Sequence, residues 1–300
     1  MGHSGTGHLG IDVGGTKVAL RIEADGHAPL ETAFRWPGPE AGAERDFRTL
    51  ASNVRTLLSS WGRSPAAVGV AMPATTDSAG RVVAWPGRPG WRGADLRGAL
   101  RDLFPGIPVQ VADDGDLAAL AEARVAGRAH LVYLGVGTGI GGGIVREGRP
   151  FPGPEAGSCE IGHMAIDYFG PTCDCGRQGC LQAVASGPAT LRRAALLRGG
   201  PVDFVLLRSA VAEREPWAVA AVEKSCAALA AAAMSLAELA RPELVVIGGG
   251  FAEGIKGLVS DVAARTTALS RPGHPAPRVA GASLGGLSSL HGAVLLARIG

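Results

Sequence analysis

The sequence has few aromatic residues and almost no net charge. Aromatic side chains make up 5% of the 300 residues, and the net charge at pH 7 is +2. No basic run offers an electrostatic footprint for nucleic acid. No apolar segment free of charge and proline approaches 18 residues, and the first ten residues hold no apolar run. These absences argue against a membrane span and a signal peptide. We therefore expect a cytoplasmic protein that has neither nucleic acid nor a membrane as a partner.

Cysteine is scarce as well, and its distribution is informative. Five cysteines are present, and three of them, Cys173, Cys175 and Cys180, lie close behind His163 in the sequence. A disulfide framework commonly has an even number of cysteines and needs an oxidising compartment. Zinc binds thiolates and imidazole tetrahedrally, and three cysteines with one histidine fill all four positions. We predict a structural zinc site at these four residues, with a disulfide pair or unligated thiols as the alternatives.

Glycine, by contrast, is abundant, and its 46 residues form three clusters beside apolar runs. The first two, Gly14-Gly15-Thr16-Lys17 and Gly137-Thr138-Gly139, each lie between two predicted strands. The absence of a following helix excludes the Walker and dinucleotide motifs, since both need one. The third cluster, Gly248-Gly249-Gly250, ends a buried strand and opens a helix. Glycine lets the backbone approach a phosphate with its N–H groups inward. Two such hairpins predict a duplicated domain with a nucleotide between the halves, a plain hairpin being the alternative.

Three aspartates stand at a predicted strand-to-helix junction. The run Val109–Ala112 reads as a strand, and Asp113, Asp114 and Asp116 follow it directly. Phosphoryl transfer needs a base for the attacking hydroxyl group, but aspartate is also favoured as a helix cap. Both roles can hold at once, with one of the three aspartates capping the helix and another facing a cleft.

Helical spacing of apolar residues marks two further segments as core helices. One runs from Phe47 to Trp61, and the other runs from Trp217 to Leu239 with Pro216 at its start and Pro242 beyond its end. Strands and helices thus mix along the chain, and we predict an α/β fold.

Five motifs, in this order, resemble the ROK family of bacterial sugar kinases and repressors. The motifs are Asp12-x-Gly-Gly-Thr-Lys, Gly137-Thr-Gly-Ile-Gly, Glu160-Ile-Gly-His163, Cys173-x-Cys-Gly-x₂-Gly-Cys180-Leu and Gly248-Gly-Gly. The resemblance covers nearly the whole chain. It implies an actin-like, hexokinase-type (ribonuclease H-like) fold whose two domains close on sugar and ATP, with a structural zinc loop that shapes the sugar site. We expect a small domain at residues 1–113 and a large one with the zinc site at 114–287. A C-terminal helix at about 288–300 is expected to pack on the small domain.

The resemblance also implies the activity and the roles of site residues. It implies an ATP-dependent hexose kinase that transfers the γ-phosphate to the sugar 6-hydroxyl group, with Asp114 as the base. Asp12 would hold Mg²⁺, and the three glycine clusters would hold ATP, although Lys17 could instead be solvated. Contacts to the sugar fall to Asp113, Asp114, Glu160, His163 and, as an open case, Gln182. Related kinases are often homodimers, so we expect one here.

Two departures from the family pattern concern the sugar. Family kinases that act on glucose usually have Asn in place of Asp113, on the side of hydroxyls 3 and 4, and Glu in place of Gln182, on the side of hydroxyls 1 and 2. An amide donates and accepts hydrogen bonds, whereas an ionised carboxylate only accepts, and a cationic amine is its strongest donor. Asp113 therefore favours an amino sugar with an ammonium group near carbon 3, such as kanosamine (3-amino-3-deoxyglucose) of antibiotic pathways. An ordinary glucokinase that tolerates Asp113 is the alternative.

Two other classes of protein are weighed against a kinase. A non-catalytic sugar-responsive regulator would keep the zinc and sugar residues but lack the nucleotide hairpins. Repressors of the family carry an N-terminal helix-turn-helix, and we expect none here because the first predicted strand begins at Leu9. An ATPase chaperone or actin-like structural protein would have no reason for the cysteine block beside Glu160 and His163. The motifs favour the kinase.

Overall fold

A computed structural model describes residues 6–38, 42–85, 87–153 and 157–299. The strands in these ranges are β1 (His8–Val13), β2 (Lys17–Glu23), β3 (Leu30–Arg35), β4 (Ala67–Ala71), β5 (Thr75–Thr76), β6 (Val82–Ala84), β7 (Val109–Ala112), β8 (Leu131–Val136), β9 (Ile140–Arg146), β10 (Arg149–Phe151), β11 (Leu244–Gly248) and β12 (Arg278–Gly281). The helices are α1 (Gly42–Trp61), α2 (Leu96–Leu103), α3 (Asp114–Ala126), α4 (Leu181–Ala185), α5 (Gly187–Arg198), α6 (Phe204–Ala212), α7 (Pro216–Ala240), α8 (Gly250–Gly254), α9 (Leu258–Ala268) and α10 (Ser288–Ile299).

Two five-stranded sheets share one topology. The first has the order β3-β2-β1-β4-β7 and the second the order β10-β9-β8-β11-β12. In each sheet the first strand in sequence pairs antiparallel with the next strand of the chain and parallel with a later strand on its other side. The repeated order is the duplication that the paired hairpins predicted.

The chain divides into two compact units. The first comprises the residues up to Leu117 together with those from Ser289 onwards, and the second comprises Ala118–Ser288. One boundary lies inside α3 and the other near the start of α10, so both of these helices have residues in each unit.

The first unit buries one face of α1 and the strands of its sheet. Leu50, Val54 and Leu57 recur at helical spacing and are buried, as the sequence pattern predicted, because a stripe with this period lies on one side of a helix. Leu9 and Ile11 of β1 are fully buried as well. The centre of this sheet is therefore the core of the unit.

The second unit is built around the long helix α7. Pro216 occupies its first turn, and Arg241 ends it in the left-handed conformation, at φ 47°. The helix therefore lies between Pro216 and Pro242, as predicted. In the described part of the chain, α7 alone is long and apolar enough to cross a membrane by length and composition. Of its apolar window, 56% is buried inside the protein. The core helix of a globular domain has the same properties, so this is weak evidence for a span.

Candidate functional site

The first glycine cluster forms the tip of the hairpin between β1 and β2. The N–H group of Gly14 donates to the carbonyl oxygen of Lys17 at 2.9 Å, and Val13 pairs with Val18 below the tip. A strand follows the glycines, as predicted. Lys17 is exposed at the start of β2, and Thr16 is exposed beside it. The hairpin therefore presents its tip, and the N–H groups there, away from the buried sheet.

Two carboxylates meet at the carboxyl edge of this sheet. Since β1, β4 and β7 are parallel, Asp12 near the end of β1 and Asp114 just after β7 lie at the same edge. Burial and, second to it, the charge of Asp114 raise the pKa of Asp12 to about 7, although the charge of Lys17 acts in the opposite direction. Burial also raises the pKa of Asp114 above its ordinary value. A desolvated pair of carboxylates suits a hard cation such as Mg²⁺, which takes oxygen ligands.

Asp113 is the N-cap of α3. Its Oδ1 accepts a hydrogen bond from the N–H group of Gly115 at 2.9 Å, and its backbone carbonyl oxygen accepts one from the N–H group of Leu117 at 3.1 Å. This is the usual capping arrangement, in which the side chain satisfies a free N–H group of the first turn. The two oxygens of a carboxylate together accept about four hydrogen bonds, so capping by Asp113 is compatible with a sugar contact. Asp116 is buried, 3% exposed.

The predicted zinc ligands converge in the second unit. The candidate ligand atoms of His163, Cys173, Cys175 and Cys180 all lie within 4.8 Å of one another. The distance from Cys173 Sγ to His163 Nδ1 is 3.6 Å, as is that from Cys175 Sγ to Cys180 Sγ. Zinc with bonds of about 2.3 Å to sulfur and about 2.0–2.1 Å to nitrogen places tetrahedral ligand atoms about 3.6–3.8 Å apart. The spacing therefore fits zinc, and all five cysteines of the chain are free of disulfides.

The surroundings shift the pKa values of two of these thiols in opposite directions. Burial, together with the neighbouring thiols of Cys173 and Cys175, raises the pKa of Cys180 to about 12. The backbone N–H group of Arg177 lowers the pKa of exposed Cys175 below its ordinary value. Zinc binds the thiolate form, so the buried thiol must lose its proton when the metal binds.

The second glycine cluster packs directly against the Glu-Ile-Gly-His segment. Glu160 is exposed and precedes a short 3₁₀ turn at Ile161–His163. A Cβ atom on Gly162 would lie 1.9 Å from the carbonyl oxygen of Ile140, so only glycine fits there. This close approach places the turn that carries Glu160 and His163 against the β8–β9 hairpin, at the start of β9.

Gln182 contacts the same hairpin from α4. Its Oε1 accepts from the N–H group of Ile140 at 3.2 Å. Because a backbone N–H group can only donate, the side-chain oxygen of Gln182 must face Ile140. The side-chain NH₂ group of Gln182 therefore points away from that N–H group. This backbone contact was not predicted, and the spacing of the two residues in the sequence gives no signal for it.

The third glycine cluster lies beside the second hairpin. Gly249 has φ 90°, and a Cβ atom there would lie 2.6 Å from the backbone of Val136, so this position requires glycine. The carbonyl oxygen of Gly137 accepts from the N–H group of Gly187 at 2.9 Å, and Gly187 packs against Phe251. The two predicted nucleotide segments of the second unit are thus adjacent.

The structure groups the predicted residues by unit. The first unit holds Asp12, Gly14, Gly15, Thr16, Lys17, Asp113 and Asp114, and the second holds Gly137, Thr138, Gly139, Glu160, His163, Cys173, Cys175, Cys180, Gln182, Gly248, Gly249 and Gly250. Two residues that contact the first hairpin were missed. Trp36 and Arg88 bind carbonyl groups of its tip, and no motif in the sequence marks either of them.

Comparison with known proteins decides the family. The sequence matches the ROK family over residues 8–299. The chain belongs to the ROK family. The kanosamine kinase of Amycolatopsis mediterranei is 53% identical to it over 290 residues, which cover 97% of this chain and 95% of that protein.

Solved ROK structures share the fold. The ROK hexokinase of Thermus thermophilus is 32% identical, with a TM-score of 0.85 and coverage of 98% of both chains. A ROK family glucokinase from Streptomyces griseus, solved in complex with glucose and AMPPNP, is 27% identical, with a TM-score of 0.79 and coverage of 98% of this chain and 100% of that one. The predictions of the ROK family and of its α/β fold are confirmed, and the cysteine and histidine cluster fits the predicted zinc loop.

Proposed function

We propose that this protein is a kinase that transfers the γ-phosphate of ATP to the 6-hydroxyl group of kanosamine. The coarser prediction, an ATP-dependent sugar kinase, is confirmed, since relatives that match over 95–100% of their length are named a kanosamine kinase, a hexokinase and a glucokinase. The observation that carries the choice of kanosamine is the 53% identity to a kanosamine kinase over 97% of the chain. The carboxylate of Asp113 supplies the chemical reason.

The proposed chemistry assigns the base to Asp114. Its carboxylate accepts the proton of the sugar hydroxyl while the hydroxyl oxygen bonds to the γ-phosphorus and the bond to the β–γ bridging oxygen breaks, which releases ADP. A raised pKa, caused by burial, makes a carboxylate a stronger base near neutral pH. Mg²⁺, held by Asp12, would neutralise charge on the phosphate oxygens.

The nucleotide is assigned to the glycine-rich segments. Backbone N–H groups at the tips of the two hairpins would bind phosphate oxygens, and the segment Gly248-Gly249-Gly250, which lies beside the second hairpin, leaves room for adenosine. The positive φ of Gly249 and its contact with Val136 support a backbone shaped for close approach. Sugar contacts from Glu160, His163 and Gln182 stay predictions from the family resemblance.

Asp113 is proposed to select the amino sugar. The carboxylate that caps Gly115 through Oδ1 would also accept a hydrogen bond from the 3-ammonium group, since carboxylate oxygens accept more than one hydrogen bond. A hydrogen bond to a charged group contributes about 1.5–3 kcal/mol, which corresponds to roughly a tenfold to hundredfold change in relative kcat/KM.

The test is a coupled assay of ADP release with glucose, mannose, N-acetylglucosamine, N-acetylmannosamine, glucosamine and kanosamine. We expect the highest kcat/KM with kanosamine. In Asp113→Asn, the ratio of kcat/KM for kanosamine to that for glucose should fall by about tenfold to hundredfold. In the wild type the same ratio should fall as pH rises through the pKa of the sugar amine, because the neutral amine no longer forms a charge-assisted bond.

Two results would count against this choice. If the wild type prefers glucose to every amino sugar and Asp113→Asn leaves the ratio unchanged, the protein is an ordinary glucokinase with a tolerated aspartate. If no sugar stimulates ADP release, the kinase assignment itself fails and a sugar-binding regulator is the better account.

The metal, the assembly and the location are part of the same proposal. We expect one structural zinc per chain, a homodimer in solution and a cytoplasmic location without nucleic acid or membrane partners. Metal analysis and the molar mass from light scattering test the first two. An unaltered ADP-release rate in the presence of duplex DNA or lipid vesicles would agree with the last.

A further inference from the structure

Three successive carbonyl groups at the tip of the first hairpin are bound from outside the hairpin. Trp36 Nε1 donates to the carbonyl oxygen of Gly14 at 2.7 Å, and Arg88 Nη1 donates to that of Gly15 at 3.3 Å. The backbone N–H group of Trp36 donates to the carbonyl oxygen of Thr16 at 3.1 Å. Two side chains, 22 and 73 residues away in the sequence, thus fix the orientation of this tip.

Arg88 is itself held in a fixed position. Its Nε and Nη2 donate to the two carboxylate oxygens of Asp46 at 2.7 and 3.0 Å, and Trp91 Nε1 donates to Asp46 Oδ2 at 2.7 Å. Asp46 is 0% exposed and Arg88 is 3% exposed. The guanidinium carbon lies 5.4 Å from the ring centroid of Trp36. The two side chains that bind the tip therefore contact each other as well.

A buried ion pair of this kind needs an explanation other than stability. Desolvation of the two charges often cancels their attraction, and apolar residues of similar volume can be as stabilising. Arg88, however, also donates to the backbone oxygens of Gly15, Pro37 and Gly38. An apolar pair could fill the volume but could not bind these carbonyl groups.

Fixing the carbonyl groups also fixes the N–H groups that follow them. A trans peptide unit is planar, so the C=O group of one residue and the N–H group of the next point in opposite directions. Binding the carbonyls of Gly14 and Gly15 therefore directs the N–H groups of Gly15 and Thr16 to the opposite side. In the described ranges, neither of these N–H groups donates to an acceptor.

We infer that Trp36 and Arg88 are positioning residues for the ATP phosphates. By holding the carbonyls of Gly14 and Gly15, they aim the N–H groups of Gly15 and Thr16 at a phosphate oxygen. The inference rests on the proposed function, in which this hairpin binds the nucleotide. Neither residue touches ATP in this scheme, and both act through the backbone of the hairpin.

The experiment uses Trp36→Phe, which removes one indole N–H group and keeps an aromatic ring. Trp61→Phe is the matched control, because Trp61 Nε1 is buried and has no hydrogen-bond partner among the described residues. The loss of one hydrogen bond should raise the KM for ATP, and the Kd for ATP measured by calorimetry, by about threefold to tenfold. The KM for sugar at saturating ATP and the Kd for adenosine, which has no phosphate, should not change.

Arg88→Lys is the second variant. It keeps a cation opposite Asp46 but loses the forked geometry that reaches both Asp46 and Gly15. We expect the same selective rise in the KM and Kd for ATP, so the inference stays testable even if Trp36→Phe folds poorly.

The outcomes separate positioning from general support of the fold. If both variants bind ATP as the Trp61→Phe control does, or weaken adenosine and sugar binding as much as ATP binding, the inference is wrong. Calorimetry measures the Kd for ATP without turnover, so it tests the role of Trp36 and Arg88 even if the wild type phosphorylates no sugar. A protein that binds ATP selectively through this hairpin but lacks kinase activity would overturn the proposed function alone.

Discussion

Asp114→Asn tests the proposed base and the electrostatics of the site in one variant. Asparagine keeps the size of the side chain at the start of α3 but cannot accept a proton at neutral pH. The pKa of Asp114 is raised by burial, and its charge is the second cause, after burial, of the raised pKa of Asp12. The substitution therefore removes the base and also relieves repulsion between two carboxylates.

The catalytic effect should be large. Losing a general base typically lowers the rate by about 10²–10⁴-fold, which corresponds to roughly 3–5.5 kcal/mol in the activation free energy. Sugar binding should change little, because an amide can still hydrogen-bond a hydroxyl group. We therefore expect a low kcat with a sugar Kd near that of the wild type.

The same variant should be more stable than the wild type when Mg²⁺ is absent. A folded-state pKa of about 7 for Asp12, against about 3.9 in the unfolded chain, means that ionisation opposes folding as pH rises between these values. Each pKa unit corresponds to about 1.4 kcal/mol. Burial of Asp12 is the larger cause and remains, whereas the repulsion and the cost of ionising buried Asp114 itself are removed, so we expect a gain of at least about 1–2 kcal/mol. The gain should be larger at pH 8 than at pH 5.5, where Asp12 is already largely protonated.

Stopped-flow or coupled kinetics and thermal melts in magnesium-free buffer measure the two effects. A chelator should be avoided, since it would also extract zinc. Asp102→Asn is a control for the loss of one negative charge, because that side chain is 78% exposed. Near-normal turnover of Asp114→Asn would show that Asp114 is not the base, which would then be sought at Asp116 or Asp113. An unchanged melting temperature at pH 8 would refute the repulsion with Asp12.

Three further predictions concern zinc and the sugar. Cys173→Ala should lose the single zinc and, with it, both fold stability and sugar affinity, because a structural zinc contributes directly to folding. The control variant Cys159→Ala should keep its zinc. A zinc-free wild type, or a disulfide among the four predicted ligands, would contradict this prediction. Zinc affinity should fall as pH decreases, since thiols must lose protons to bind, and a flat profile in competition with a chelator of known protonation would speak against thiolate ligands. Gln182→Glu should raise kcat/KM for glucosamine, which has a 2-ammonium group, relative to kcat/KM for glucose. The ratio of kcat/KM for kanosamine to that for glucose should not change. If the kanosamine ratio changes instead, Gln182 does not lie on the side of hydroxyls 1 and 2.

Local motifs predicted the parts of the site that depend on short stretches of chain. The hairpin at Gly14, the junction at Asp113 and the cluster of one histidine and three cysteines each follow from residue type and spacing within about 20 residues. In such a stretch the chemistry of the residues restricts the backbone to few solutions, so a pattern alone indicates the structure. The fold class followed in turn from the resemblance that these motifs carry.

Contacts between distant segments were not predictable from the sequence. The pair Asp46–Arg88 spans 42 residues, and Trp36 reaches Gly14 from 22 residues away. Each depends on how α1, the sheet and the segment around Trp91 pack together, and a lone Arg or Trp in the sequence has many equivalent roles. The hydrogen bond from Ile140 to Gln182, again 42 residues apart, is of the same kind.

The two residues that depart from the family pattern share one structural property. In both, one side-chain oxygen already accepts from a backbone N–H group: Asp113 Oδ1 from Gly115 and Gln182 Oε1 from Ile140. Asparagine and aspartate have this oxygen in common, as do glutamine and glutamate, so neither exchange disturbs the local backbone. What changes is the other half of each side chain, from a donor NH₂ group to an acceptor oxygen at position 113 and from an acceptor to a donor at position 182. Under the proposed sugar contacts, the substitutions therefore alter the polarity offered to the sugar without a change in the backbone contact, which is how a change of substrate can evolve without a loss of stability.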